Sequence, residues 1–243
     1  MFKLIAVLYG VACYLVFFLT FLYAVGFVSD LFVPKAIDSA PIIDWRIALV
    51  IDLALLGLFA IQHSLMARPA FKKQWTRLVP AEIERSTYVL FSSLALIVLF
   101  VFWAPIEGKV WSFEGDAAVA LMALSGLGWL IVLSSTFLIN HFDLFGLRQV
   151  WAYRAGKAVP PPDFKTPLFY RVVRHPLYVG FIIAFWATPS MSRGHLLFAV
   201  ATTAYILIAI QLEEHDLIGT FGDVYRNYKS RVSMIVPWIP KKS

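Results

Sequence analysis

An all-α, polytopic membrane protein is the fold class this sequence predicts, and three observations predict it. Hydrophobic residues make up 60% of the 243, above the half expected of a soluble domain. They gather in runs close to the ~20 residues that carry a helix through a bilayer. Lys and Arg crowd the segments between alternate runs, the asymmetry that orients membrane helices.

Six apolar segments follow in order: Leu4–Val28, Trp45–Met66, Tyr88–Ala104, Ala117–Ile139, Leu177–Met191 and His195–Leu212. The first is longer than the apolar stretch of a secretion signal and ends in no small-residue cleavage pattern, so it is expected to stay as a span. Asp52 lies within the second, where a charge is costly unless paired; a helix contact through Ser or Thr is the expected partner. Gly126-Leu127-Gly128 in the fourth reads as a helix-packing site. The fifth is short and ends in Thr188-Pro189-Ser190, and only Ser192-Arg193-Gly194 separates it from the sixth. These two are expected to form a tight helical hairpin, so five full spans and six are both open. His195, beside the turn, reads as a solvated cap. Trp45, Trp103, Trp111 and Trp151 fit interfacial belts.

Orientation follows from the cations. With the N-terminus inside, the inner segments hold 17 of the 21 Lys and Arg and the outer segments hold 4. Both termini are therefore expected in the cytoplasm, and an inner bacterial membrane is the expected location. The net charge of +6 reads as topology and attraction to anionic lipid. No separate basic module points to nucleic acid. The single cysteine, Cys13, has no partner for a disulfide and reads as a small packed or lipid-facing residue.

The chemistry-bearing residues concentrate at the inner ends of the spans. Arg174-His175-Pro176-Leu177-Tyr178-Val179-Gly180 opens the hairpin. Pro176 suits a first helical turn, His175 then stands at a helix N-terminus, which attracts anions, and Gly180 permits close approach of a ligand or a helix. Glu213-Glu214-His215-Asp216 closes the sixth segment, an acidic group on a basic face. If the hairpin turns near Arg193, neighbours across it have numbers adding to about 386, a register taken from helical antiparallel pairing. Arg174 then lies opposite Leu212, within one turn of Glu213 and Glu214. Phe221, Tyr225 and Tyr228 recur at helical spacing and share a face of an interfacial helix; Arg226 and Lys229 are placed elsewhere on it.

RHPLYVGF, the short hairpin, LEEHDL, FGDVYRNYKSRV and the closing VPWIP together resemble the C-terminal signature of the isoprenylcysteine carboxyl methyltransferase and phospholipid N-methyltransferase superfamily. The strings Gln62-His63-Ser64-Leu65-Met66-Ala67-Arg68-Pro69 and Asn140-His141-Phe142-Asp143-Leu144-Phe145-Gly146-Leu147-Arg148-Gln149 are similar to its methanethiol S-methyltransferase branch, near the NnrU-like proteins. That resemblance implies one membrane-embedded domain over residues 1–243, with a four-helix part (1–140) and a cofactor-binding part (141–243). It implies S-adenosylmethionine as cofactor, bound between the hairpin and the C-terminal helix by Arg174, His175, Tyr178, Gly180, Glu213, Glu214, Tyr225 and Tyr228. It implies a small volatile thiol, methanethiol, as substrate.

Methyl transfer from a sulfonium to a thiol is an in-line displacement in which the thiolate is the effective nucleophile. A proton acceptor and exclusion of water both help. The base candidates are His141, His63 and Asp143. His141 and Asp143 are two apart and would diverge on a continuous helix, and Arg148 is an equally good partner for Asp143. No metal-ligand spacing is present, and no metal is expected. Rival readings are a methyltransferase of the same superfamily acting on a lipid or prenylcysteine, an NADPH-dependent membrane reductase, and a non-enzymatic NnrU-like accessory or transport protein.

Overall fold

The computed structural model describes residues 1–161 and 163–237. Residues 238–240 of the closing VPWIP motif lie outside the described residues. Among the described residues are ten α-helices, six of them on the six apolar segments: α1 (Phe2–Ser29), α2 (Trp45–Ala67), α3 (Pro69–Trp75), α4 (Ala81–Phe102), α5 (Gly115–Ile139), α6 (His141–Leu144), α7 (Leu147–Ala155), α8 (Pro176–Trp186), α9 (Arg193–Phe221) and α10 (Asp223–Arg231). Two short strands, β1 (Lys109–Ser112) and β2 (Ser190–Ser192), and a 3-10 turn at Leu168–Arg171 complete the described elements. Five helices, α1, α2, α4, α5 and α9, are long and apolar enough to cross a membrane. The fold is thus all-α and polytopic. The fifth apolar segment forms α8, an apolar helix of 11 residues, which at 1.5 Å per residue covers about half of a hydrocarbon core.

Two helices outrun their apolar segments. The third begins at Ala81 instead of Tyr88, because Glu84, Ser86 and Thr87 are buried within the protein and so their polarity does not end the helix. The last apolar helix continues past Leu212 to Phe221, since the carboxylate of Glu214 is neutralised internally, as described below.

The described residues form two compact units. The first comprises Met1–Trp111, His141–Pro161 and Met191–Phe198. Here α4 packs on both α1 and α2, and α7 packs on α1. Tyr9 and Thr87 hydroxyls meet at 3.0 Å, and a Cβ on Gly10 would stand 2.8 Å from the Val150 side chain, so glycine is what lets α7 approach α1. Asp52 is fully buried and accepts the Ala104 N–H at 2.8 Å. Its partner is therefore a backbone amide just past the end of α4, where amides and carbonyls lack helical partners, and not the Ser or Thr expected from sequence. Trp103 is no belt residue: it is 1% exposed and donates to the Ile37 carbonyl at 3.1 Å. His195 is likewise not solvated. It is 1% exposed and faces Asp38 at 3.7 Å, and the same Asp38 takes a short hydrogen bond from Ser192. Cys13 is buried.

The second unit comprises Ser112–Asn140 with the described parts of Pro162–Ser190 and Ala199–Ser243. Its centre is the α5–α8 contact. A Cβ on Gly128 would lie 2.7 Å from the Gly180 carbonyl, and one on Gly180 would lie 2.7 Å from the Gly128 carbonyl. The two helices touch backbone to backbone, as small residues allow in lipid. Ser125 donates to the Ala184 carbonyl at 3.0 Å, and the Trp129 ring meets Phe181 and Phe185 edge-on. Trp186 donates to Thr203 at 2.9 Å, tying α8 to α9 in antiparallel register.

Candidate active site

In the second unit, Arg174 and His175 precede α8, and Pro176 occupies its first turn. The segment is fixed by strand-like pairing: Val173 bridges Ser233, the Arg174 N–H donates to Ser233 at 2.8 Å, and the His175 N–H donates to Met234 at 3.2 Å. Across the hairpin stands Glu214. Its Oε1 accepts from Arg174 Nε at 2.6 Å and lies 3.2 Å from His175 Nε2. The partners 174 and 214, like 186 and 203, have numbers adding to 388 or 389, two or three above the register read from sequence. Contact therefore falls on Glu214 instead of Leu212. Glu213 also joins, 3.6 Å from His175 Nδ1.

The cluster is closed from the far side by α10. Arg174 Nη1 donates to the carbonyls of Lys229 at 3.2 Å and Val232 at 2.5 Å, so its charge also meets the negative end of that helix. Lys229 Nζ reaches Glu214 Oε2 at 2.5 Å. Sequence reasoning missed Lys229, although a signal existed: it stands four residues after Tyr225 and therefore on the same helical face.

The aromatic face is present as expected, with a break inside it. Gly222, at φ 55, separates α9 from α10, so Phe221 closes one helix while Tyr225 and Tyr228 belong to the next. All three rings meet Phe164, at centroid distances of 5.3, 5.9 and 5.3 Å. The Tyr228 hydroxyl donates to the Tyr170 carbonyl at 2.6 Å. Burial pushes the Tyr228 hydroxyl up to about 12 and pushes Tyr225 and Tyr170 further in the same direction; all three stay protonated donors at neutral pH. Tyr225 is 2% exposed and its hydroxyl has no hydrogen-bond partner. Such a group is expected to be satisfied when its neighbourhood is complete. Tyr178 lies beside His175, with ring centroids 5.7 Å apart. Gly180 turns its open side to α5, so the helix approach read for it is present.

The remaining candidates lie in the first unit. α5 ends at Ile139, and Asn140 breaks the chain before α6 begins at His141. His141 is 4% exposed. Its Nε2 is 2.8 Å from the Tyr14 hydroxyl, and Tyr14, Phe142 and Phe145 surround the ring. Burial lowers its pKa from the ordinary 6.5, which keeps the imidazole neutral. Asp143 accepts from Gln149 at 2.8 Å and pairs with Arg148 at 3.4 Å. The Arg148 alternative is thus realised, and Gln149 adds to it. His63, on α2, lies about 3 Å from the Tyr88 hydroxyl and 3.1 Å from Ser92, with the Phe59 ring stacked on it. Tyr88 and Phe145 share one apolar cluster with Met66 and Val89, so a common aromatic floor underlies both histidines.

A helical membrane protein with a buried Arg–His–Glu cluster, closed by a half-buried lysine, near the end of a long apolar helix is the class that the fold and site define. No family model and no solved structure matches the chain. Curated relatives do. Over 238 residues the chain is 58% identical to Methanethiol S-methyltransferase 1 of Bradyrhizobium diazoefficiens, covering 98% of this chain and 84% of that protein. It is 56% identical to the Methanethiol S-methyltransferase of Crocosphaera subtropica, over 97% of this chain and 93% of that one. With the protein of that name from Mycobacterium tuberculosis it shares 52% identity over 97% of each chain. The chain belongs to the methanethiol S-methyltransferase family and is a methyltransferase.

Proposed function

We propose that the protein transfers a methyl group from S-adenosylmethionine to methanethiol. The C–S bond to the sulfonium breaks and a new C–S bond forms. Dimethyl sulfide and S-adenosylhomocysteine are the products, and the thiol proton is released. The acceptor is the one for which the relatives are named. We further propose a single domain in a bacterial inner membrane with both termini in the cytoplasm, supported by the 17 to 4 split of Lys and Arg between alternate loops of the 21 in the chain.

The observation that carries the cofactor half is the buried cluster at Glu214. The residues fit a methionine-derived sulfonium. Glu214 Oε2 already accommodates an ammonium, that of Lys229. Tyr225 offers a buried hydroxyl with no hydrogen-bond partner. The rings of Phe164, Tyr225 and Tyr228 offer π faces to a flat or cationic group. Arg174 and His175 hold the carboxylates of Glu214 and Glu213 in place. When bound, S-adenosylmethionine supplies an electrophilic methyl group on a cationic sulfur.

For the thiol proton, His141 is the assigned acceptor. It is neutral, buried and oriented through Tyr14, the state a general base needs. His63, with hydroxyl partners on two sides, is the second acceptor. Asp143 and Arg148 are read as an ion pair that holds the start of α7. Headspace gas chromatography on detergent-purified protein with methanethiol and S-adenosylmethionine tests the reading. Dimethyl sulfide formed in step with S-adenosylhomocysteine supports it. Cofactor binding without dimethyl sulfide would redirect the acceptor to a lipid or prenylcysteine. No binding at all would favour the accessory or transport class.

A further inference from the structure

Glu214 and the three groups that meet it make a cluster of four, and three of the four are locked. Glu214 and Arg174 are 2% and 3% exposed, and His175 is 5% exposed. Arg174 is also tied to two carbonyls at the end of α10, and His175 to Met234 through its backbone. Lys229 differs: its side chain is 34% exposed, on a flexible four-carbon stem. One turn earlier on the same face stands the Tyr225 hydroxyl, buried and without a hydrogen-bond partner.

We propose that Lys229 is a displaceable latch, its ammonium holding the place at Glu214 Oε2 that the primary ammonium of an amino-acid-type ligand takes. The inference rests on the donor site proposed above. Binding moves the Lys229 ammonium off Oε2 and toward solvent, while Arg174 and His175 stay on Oε1. The carboxylate thus remains paired in both states, which spares the cost of an isolated buried charge. The α10 end is therefore clasped to α9 by its own lysine when no ligand is bound, and by Arg174 alone when one is.

The test uses the full chain in detergent. Lysine acylation by an N-hydroxysuccinimide ester is followed by mass spectrometry at Lys229, without ligand, with S-adenosylhomocysteine, and with methylthioadenosine, which lacks the ammonium. Lys229 acylation is expected to rise about fivefold or more with S-adenosylhomocysteine and to stay unchanged with methylthioadenosine, because an ammonium held against Glu214 Oε2 is shielded from the ester. Calorimetry is expected to show Lys229→Met binding S-adenosylhomocysteine about five- to tenfold more tightly than the unaltered chain, the loss of a competitor in a partly exposed pair. Binding by the unaltered chain with unchanged or reduced Lys229 acylation overturns the latch and leaves the donor site standing. Weaker binding by a folded Lys229→Met chain does the same and makes the lysine a direct ligand contact. No binding of S-adenosylhomocysteine by the unaltered chain overturns the donor site, and the latch with it. Should Lys229→Met not fold, the acylation result on the unaltered chain decides.

Discussion

The candidate site residues of the two units set their histidines in opposite surroundings. In the second, His175 stands between two carboxylates, in a cluster with Arg174 and Lys229. In the first, His141 and His63 face hydroxyls and rings: Tyr14 and Phe145 for one, Tyr88, Ser92 and Phe59 for the other. Charged partners fix a side chain and recognise charge. Neutral partners leave an imidazole free to gain and lose a proton. The difference supports the proposal that the charged cluster binds the cofactor and that His141 or His63 takes the thiol proton.

The sharpest way to break that division is Glu214→Ala. It leaves Arg174 buried without its carboxylate, and losses of that kind run to about 3–5 kcal/mol. Thermal unfolding in detergent should show the loss, and calorimetry should show no cofactor binding. The depth of Arg174, 3% exposed, is what adds the stability penalty to the loss of binding. His175→Ala should also abolish binding, with a smaller stability loss. Retained binding in both variants would remove the charged cluster from the site.

Next comes His141→Ala. If the first unit handles the proton, the turnover rate should fall about a hundredfold with cofactor affinity unchanged, read by headspace chromatography beside calorimetry. An unchanged rate would pass the role to His63. The pH profile sharpens the point. Burial lowers the His141 pKa from 6.5, so the basic form persists as pH falls below 6.5, and its acid limb should lie below that value. The folded chain then binds fewer protons than the unfolded one in that window, so stability should decline with falling pH there.

Smaller effects serve as controls within the second unit. Gly180→Ala places a Cβ 2.7 Å from the Gly128 carbonyl and 2.8 Å from the Val132 nitrogen, and overpacking of this kind costs about 1–3 kcal/mol. It should lower the unfolding temperature without changing the charge requirement of the ligand. Tyr228→Phe removes one hydrogen bond, to the Tyr170 carbonyl, worth about 1 kcal/mol. A loss of cofactor affinity much larger than the stability loss would show that the hydroxyl, and not only the ring, meets the ligand.

Much of the site was legible because its signals are local. Pro176 marks the start of α8, and hairpin register carries Arg174 to within two residues of its true partner. The shared face of Phe221, Tyr225 and Tyr228 survives the kink at Gly222. Errors arose where polarity was judged without its partner. Glu84, Ser86 and Thr87 read as the outside of a span, His195 read as solvated, and Trp103 read as interfacial, yet all five are buried.

By itself the sequence determined the all-α class, the order of the apolar helices and the membership of Arg174, His175 and Glu214 in one cluster. Hydrophobic runs, helical periodicity and a tight turn are properties of neighbouring residues. Only the tertiary structure decided that Lys229 closes the cluster, that Tyr14 meets His141 across 127 positions of chain, and that Asp52 serves a backbone amide 52 residues on. Those pairings depend on how separate helices pack, and residue spacing along one helix carries no record of what its neighbour presents.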